Sequence, residues 1–251
     1  MYCDKLDSEV RAFLESNPFG YVTKHDREEG RYFAHAKILR RPPASLGLLT
    51  GDAIHNIRAS LDNLFWAFAC RFHNPPRNHR IAFPIFKDQS RRGSKPGWDV
   101  GLNYLRSVAP AVGTVITDLQ PFERSKADPS GDPLWMLERL WNDDKHKRVV
   151  PVASALPLDP RVQIRAIGGD FRVRARTRGF FANSGPFEDD AVLAGCMYDP
   201  AGHVEGDLEF IFTFDVAFPK EGPARGAPLA NLVRGLHDHV RHEVLPRFEG
   251  L

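Results

Sequence analysis

The stretch GDAIHNIRASLDNLFWAF, residues 51–68, repeats its apolar side chains at helical spacing. These side chains share one face of such a helix: Ile54, Ile57, Leu61, Leu64, Phe65 and Phe68. We therefore expect a long amphipathic helix from about Ser45 to His73. The stretch PLWMLERLWNDDKHKR, residues 133–148, predicts another helix. Together the two stretches indicate a helical block over about residues 44–150.

On both sides of this block the apolar pattern is alternating rather than helical. Residues 21–26 and 31–39 predict a hairpin, and residues 151–220 predict a meander of antiparallel strands. A final helix is expected over 228–247. The class is therefore α+β, with one domain over residues 1–251. The helical block between hairpin and meander is either an insertion or a layer packed on one face of a single mixed sheet. We favour the layer, because the hairpin alone would be marginal, and we expect the final helix to pack on the sheet as well.

The composition is that of an ordinary globular protein. The 251 residues are 42% hydrophobic and 26% charged, which excludes a mainly disordered chain, a coiled coil and a collagen-like repeat. The longest apolar runs fall short of the ~20 residues of a membrane span, and the start MYCDKLDSEV has no signal-peptide core. We therefore expect a cytoplasmic protein with no membrane partner. The formal net charge of +2 favours no particular class of partner.

Polar residues recur on one face of each of the two main predicted helices. His55, Arg58 and Asp62 are spaced to share a face of the first helix. Glu138, Asn142 and His146 are spaced in the same way on the second. Because buried charges are costly unless they are paired, we expect the two helices to meet in an antiparallel arrangement, with Arg58 facing Asp143 or Asp144.

Two interpretations of this meeting are open. In the first, a salt-bridge network fixes the packing of antiparallel helices, with Arg58 facing Asp143 or Asp144. In the second, histidine, carboxylate and arginine form a general acid–base site. Trp66 and Trp141 flank the two segments, as the walls of a pocket would.

The two stretches resemble the signature motifs of a group of uncharacterised bacterial proteins. The first is similar to H-N-L-R-x-x-L-D-H-L and the second to N-x-D-K-H-R. The shorter elements AFPIF, residues 82–86, and DLQPF, residues 118–122, fit the same group. The resemblance covers about residues 45–150 and implies no particular activity.

A weaker resemblance is to the HEPN superfamily of ribonucleases and nucleotide-binding domains, which carries an Arg-x4-6-His motif on a helix. Here the spacing from Arg58 reaches Asn63, which cannot transfer a proton, whereas Arg234 and His239 fit the spacing. His146 is the candidate to replace the missing histidine. This resemblance implies RNA cleavage without metal, a nucleic acid or nucleotide as partner, and a homodimer.

Our first hypothesis is accordingly a metal-independent ribonuclease or another RNA- or nucleotide-directed protein. Arg58 would stabilise the charge of the transition state, His146 would be general acid or base, and Asp62 or Asp144 would orient it. The side chains expected to contribute to binding are His55, Asn142, Lys145, Arg172, Arg174 and Arg176. The second hypothesis is a non-catalytic binding or interaction protein in which the polar helix motifs are structural.

A metal site is the remaining enzymatic interpretation. The candidate ligands for iron, manganese or zinc are His55, Asp62, Asp143, Asp144 and His146. Helical di-metal proteins use paired Glu-x-x-His motifs, which this sequence lacks, and its three cysteines have no zinc spacing. We therefore expect neither a metal nor another cofactor.

An arginine-rich segment follows the helical block. Gly168-Gly169 is a favoured two-residue hairpin turn, which would place Ile164 opposite Val173 and Ala166 opposite Phe171. The other face would then carry opposing pairs: Arg165 with Arg172, Gln163 with Arg174, and Arg161 with Arg176. Because opposing like charges destabilise a sheet, we expect an anion on this face. Either carboxylates of the protein, such as Glu209 and Asp215, or a phosphate backbone would supply it.

Overall fold

The structure is a computed structural model, and it describes residues 2–72, 82–88, 109–146, 149–156, 164–173, 177–199 and 204–251. Its helices and antiparallel strands confirm the α+β class. The residues group into two compact units. The helical unit contains Met1–Cys3, Leu48–Val149 and Asn231–Leu251, and the sheet unit contains Asp4–Gly47 and Val150–Ala230. Among the described residues, no helix is long and apolar enough to cross a membrane.

The first helix of the chain, α1, has its first two residues in the helical unit and the rest in the sheet unit. The second helix, α2, has its first four residues in the sheet unit and the rest in the helical unit. The further helices are α3, α4, α5 and α6, and the chain ends in a π-helical and a 3-10 turn. Their bounds are α1 Tyr2–Glu15, α2 Ala44–Phe72, α3 Pro110–Asp118, α4 Pro121–Arg124, α5 Pro133–His146, α6 Leu229–His239, π-helical Val240–Val244 and 3-10 Leu245–Phe248. A short 3-10 turn, Pro129–Gly131, precedes α5. The bounds of α2 lie within one residue of the prediction.

The helix α5 begins at a proline behind a capping aspartate. The Oδ1 atom of Asp132 accepts a hydrogen bond from the backbone N–H of Leu134 at 2.9 Å, and Ser125 donates to Oδ2 at 3.0 Å. Both carboxylate oxygens of the buried Asp132 therefore accept a hydrogen bond. Proline suits the first helical position because its missing N–H would have no partner there.

The apolar stripe of α2 forms the core of the helical unit. Its buried members and their buried neighbours are Ile54, Ile57, Leu61, Phe65, Phe68, Ile116, Leu134, Leu137 and Phe248. Phe248 packs near the end of the chain against Phe68, with ring centroids 5.7 Å apart, and against Phe83 at 6.3 Å. The residues from Asn231 onward thus group with the helical unit, which differs from the expected packing of the final helix on the sheet.

In its described residues, the sheet unit contains nine strands in three separate sheets. Their bounds are β1 Phe19–Asp26, β2 Arg31–Ile38, β3 Val152–Ala155, β4 Ile164–Val173, β5 Thr177–Ala182, β6 Gly185–Pro186, β7 Val192–Tyr198, β8 Val204–Phe210 and β9 Phe214–Ala217. The sheet orders are β1-β2-β7-β5, β6-β3-β9 and β4-β8. All the described pairings are antiparallel. The N-terminal hairpin thus joins later strands, as expected, but the prediction of a single mixed sheet was wrong.

The largest sheet has one buried face. Alternate residues of β2, Tyr32, Ala34 and Ala36, are almost fully buried. Tyr32 and Ala34 pack in a cluster with Phe210, while Ala36 belongs to a second cluster that contains Phe19. The remaining residues of β2 lie on the opposite face, which we call the outer face.

Over the described residues 164–173, the predicted hairpin at Gly168-Gly169 does not form. Both glycines lie inside β4, which pairs with β8 on both sides of a register shift between Ile167 and Arg172. Opposite Arg165 lies Glu209, and opposite Arg172 lies Glu205. The pairing with β8 places carboxylate residues across from arginines, whereas the predicted hairpin opposed arginine to arginine, and opposite-charge pairs stabilise a sheet.

Candidate functional site

The Arg58 guanidinium lies at the centre of the polar contacts between α2 and α5. Its side chain is only 3% exposed. Nε donates a hydrogen bond to Oε2 of Glu138 at 3.0 Å, Nη1 donates to the Asp62 carboxylate, and Nη2 donates to the carbonyl oxygen of Phe83 at 2.8 Å. Each of the three guanidinium nitrogens therefore has a protein acceptor.

The acceptors of Arg58 are themselves held by further donors. Oδ1 of Asp62 also accepts from the backbone N–H of Phe83 at 2.8 Å. The second oxygen of Glu138, Oε1, accepts from Nδ2 of Asn142 at 2.9 Å. We call Arg58, Asp62, Glu138 and Asn142 the Arg58 network. Together with the backbone of Phe83, it gives each guanidinium nitrogen of Arg58 a partner, which is how buried charges are tolerated.

Trp141 joins this network to more exposed side chains. The Arg58 guanidinium carbon lies 4.9 Å from the centroid of the indole, and Nζ of Lys145 lies 2.9 Å from it. The indole N–H donates to Nδ1 of His55 at 3.4 Å. The pKa of Lys145 is lowered, first by burial and also by the nearby Arg58, although Glu138 and Asp62 oppose this shift.

Asp144 lies close to the backbone of α2. A Cβ added at Gly51 would lie 2.6 Å from Oδ1 of Asp144, so the carboxylate in its present position is accommodated by the glycine. Burial and the charge of Asp52 raise the pKa of Asp144, and His55 lowers it. Asp144 thus contacts the start of the GDAIHNIR stretch rather than Arg58.

The structure therefore brings only some of the predicted site residues together. Arg58, Asp62 and Asn142 share the network, whereas the expected facing of Arg58 and Asp143 or Asp144 was wrong. Asp143 lies 4.0 Å from Arg139 on its own helix. The rotation of α5 about its own axis explains the difference, because the face that carries Glu138 and Asn142 is the one that meets Arg58.

Several predicted residues lie outside the part of the chain that the structure describes. They are the side chains of His146 and Arg172, and both Arg174 and Arg176. The histidine of the literal Arg234-x4-His239 match has another neighbour: its Nε2 lies 2.9 Å from Nη1 of Arg124. Burial and Arg124 lower the pKa of His239, while Asp132 and Glu243 raise it. Within the described ranges, no group of three metal-ligating side chains exists.

A pocket of about 490 Å³ lies in the helical unit, and no sequence-based prediction included it. It is lined by Tyr2, Cys3, Ala53, Asn56, Ile57, Ser60, His237, Val240, Arg241 and Leu245. The only sequence signal was the helical spacing of Asn56 with Ser60 and of His237 with Arg241. Because three distant segments form the pocket, such spacing alone does not identify it.

The outer face of the largest sheet carries two aromatic rings, which the sequence analysis also missed. Phe33 of β2 and Phe181 of β5 both pair with Gly195 of β7. Their ring centroids are 6.0 Å apart, and a Cβ at Gly195 would lie 2.2 Å from the Phe33 ring. The glycine thus lets the two rings approach each other across the central strand.

Comparison of the chain with protein-family models, with curated proteins and with solved structures finds no match.

Proposed function

We propose that this chain is a non-catalytic binding protein in which the Arg58 network holds the helical unit together. The observation that carries the proposal is the burial of Arg58, which is 3% exposed, with hydrogen bonds from all three of its guanidinium nitrogens. An arginine that stabilises the transition state of phosphoryl transfer must direct donors at the substrate. In Arg58 these donors already serve Glu138, Asp62 and the Phe83 carbonyl.

The position that the HEPN motif requires for histidine supports the same proposal. Asn63 is exposed and carries an amide that cannot act as general acid or base. The ribonuclease hypothesis depends in addition on His146, whose side chain is not described, so it stays a prediction.

The test compares Arg58→Ala with Arg139→Ala, a half-exposed arginine of α5 whose carboxylate partner is 4.0 Å away. Removing Arg58 strands two carboxylates, and we expect unfolding by urea to show a loss of about 3–5 kcal/mol. Arg139→Ala should change stability by less than ~0.5 kcal/mol. The wild-type chain should leave a labelled single-stranded RNA intact. The proposal fails if the wild type cleaves this RNA and Arg58→Ala abolishes cleavage while retaining stability.

A second candidate function, binding of single-stranded nucleic acid, is favoured by the outer face of the largest sheet. Aromatic rings on a sheet are the platforms on which such proteins stack bases. The same face carries three cations in exposed ion pairs: Lys24 with Asp190, Lys37 with Asp189, and Arg31 with Glu29. Exposed pairs of this kind contribute only about 0–1 kcal/mol, so phosphates can replace the carboxylates at little cost.

This candidate is tested with fluorescence anisotropy of a labelled 12-nucleotide RNA at increasing salt. Phe181→Ala should weaken binding roughly 5- to 100-fold, since stacking contributes about 1–3 kcal/mol per base. Phe180→Ala is the control, because this neighbouring residue of β5 lies on the opposite face and is 48% exposed. An equal loss of RNA affinity in Phe181→Ala and Phe180→Ala, or RNA binding that does not weaken with salt, would contradict this candidate function.

A further inference from the structure

We propose that the pocket of the helical unit binds a small amphipathic anion, with an apolar body inside the pocket and a carboxylate at Arg241. The proposal deepens the proposed function and rests on it, because it names the ligand class of a non-catalytic binding protein. The volume of about 490 Å³ falls within the range of roughly 300–1,000 Å³ typical of small-molecule sites.

The walls of the pocket are mainly apolar. Ala53 and Ile57 of α2 and Val240 of the C-terminal segment line it and are buried. Leu245 and Tyr2 complete the apolar lining. Such a surface favours a ligand that brings hydrocarbon out of water, at roughly 0.8 kcal/mol per buried CH₂ group.

The polar side chains of the α2 wall have partners within their own helix. Nδ2 of Asn56 donates to the backbone carbonyl of Asp52 at 2.7 Å. The hydroxyl of Ser60 donates to the carbonyl of Ile57 at 2.7 Å. The Ser60 proton and one Asn56 amide proton are thus engaged, and the α2 wall carries no cation, so we assign an anionic head group to the part of the lining that does.

The head group is assigned to the C-terminal part of the lining, where His237 and Arg241 are four residues apart in the sequence. The ring of His237 is engaged by Asp238, with Nδ1 2.9 Å from the carboxylate oxygen. Arg241 is exposed, and within the described part of the chain no carboxylate forms an ion pair with it. Its guanidinium is thus available to a carboxylate, which it can bind through two parallel hydrogen bonds.

The backbone at Arg241 provides an independent observation. Val240 and Arg241 belong to a π-helical turn, Val240–Val244, that directly continues α6. Such turns are rare and are found frequently at functional sites. The turn lies in the pocket wall that carries the assigned cation.

The test is calorimetric titration of the full chain with hexanoate, octanoate and decanoate below their micelle concentrations. Each added CH₂ group that enters the pocket should tighten binding about three- to fourfold. Decanol, which has the same chain but no charge, should bind at least tenfold more weakly than decanoate. No dependence on chain length, or equal binding of decanol and decanoate, would overturn the proposal.

Two variants locate the site, and a third is the control. Arg241→Ala should weaken decanoate at least fivefold and leave decanol unchanged, whereas Ser60→Leu, which fills the pocket, should weaken both. Arg247→Ala should change neither, because Arg247 is a half-exposed arginine of the same C-terminal segment that pairs with Asp118. An unchanged affinity of Arg241→Ala for decanoate overturns the assignment.

The failure of this inference and that of the proposed function are distinguishable. If decanoate does not bind while Arg58→Ala is strongly destabilised and RNA stays intact, the ligand class is wrong and the structural role of the Arg58 network stands. If RNA is cleaved through Arg58, the non-catalytic function is wrong whatever the titration shows.

Discussion

Nε of Arg58 lies 3.0 Å from Oε2 of Glu138, which connects α2 with a residue 80 positions further along the chain. Asp62, one turn after Arg58 on α2, holds another nitrogen of the same guanidinium. The local pair orients the arginine, and the distant pair links the helices. Because all three side chains are at least partly buried, loss of one leaves the others without compensation.

Removal of the Glu138 carboxylate should therefore destabilise the protein more than an exposed carboxylate does. We expect Glu138→Ala to lower the free energy of unfolding by about 3–5 kcal/mol, because Arg58 and Asn142 both lose an acceptor. Glu138→Gln should cost less, since one amide oxygen still accepts. Asp143→Asn, half-exposed on the same helix, is the control and should stay within ~0.5 kcal/mol of wild type in urea unfolding. Similar losses of stability in Glu138→Ala and Asp143→Asn would contradict the structural role of Glu138.

A methyl group at Gly51 should disturb the contact with Asp144. A Cβ there would lie within 2.6 Å of the carboxylate, which must shift to make room, so we expect Gly51→Ala to gain clearly less than the ~0.5–1 kcal/mol that helix propensity alone gives. Gly235→Ala on α6 meets no atom within 4 Å and should stabilise by about 0.5–1 kcal/mol. Thermal and urea unfolding of both variants measure the difference, and an equal gain in the two variants would refute the close contact at Gly51.

The stability of the protein should depend on the protonation of His239. Burial and Arg124 lower its pKa in the folded state, whereas the unfolded histidine titrates near about 6.5. The unfolded state thus binds the proton more strongly, and stability falls as the pH drops below about 6.5. His239→Gln should reduce this dependence between about pH 5 and 7.

The control for this pH dependence is His242→Gln, an exposed histidine of the same segment, measured by urea unfolding at several pH values. If His239→Gln and His242→Gln change the slope equally, the lowered pKa of His239 does not govern it.

Gly195 should be required for the close approach of Phe33 and Phe181. Gly195→Ala places a Cβ against the Phe33 ring, and the ring must move, at a cost of about 1–3 kcal/mol. Gly20→Ala, on the same sheet with nothing within 4 Å, should cost far less. Chemical shifts of the two phenylalanine rings report their displacement, and unchanged shifts in Gly195→Ala would contradict the packing.

The helical elements could be predicted from the sequence because their signals are local. The apolar stripe of α2 lies between prolines, and its predicted span of Ser45 to His73 became Ala44–Phe72. Asp132 and Pro133 likewise mark the start of α5. Such periodicity and capping depend only on neighbouring residues.

The errors concern partners that lie far apart in the sequence. The local turn preference of Gly168-Gly169 predicts a hairpin at these residues. In the structure, β4 pairs with β8 instead, and glutamates of β8 lie opposite Arg165 and Arg172. The partner of Arg58 was chosen among the acidic residues of the motif, whereas the rotation of α5 presents Glu138. Local preference cannot decide either choice, because tertiary packing does.

The order of the strands has a consequence for synthesis of the chain. β2 hydrogen-bonds to β7, which the ribosome completes only after the entire helical block. At about 5–20 residues per second, the hairpin of β1 and β2 waits on the order of 10 s for its neighbour. During this time the far edge of β2 has unpaired backbone groups, and a hairpin alone is at best marginally stable. The nascent protein is thus most exposed to aggregation before β7 leaves the ribosome.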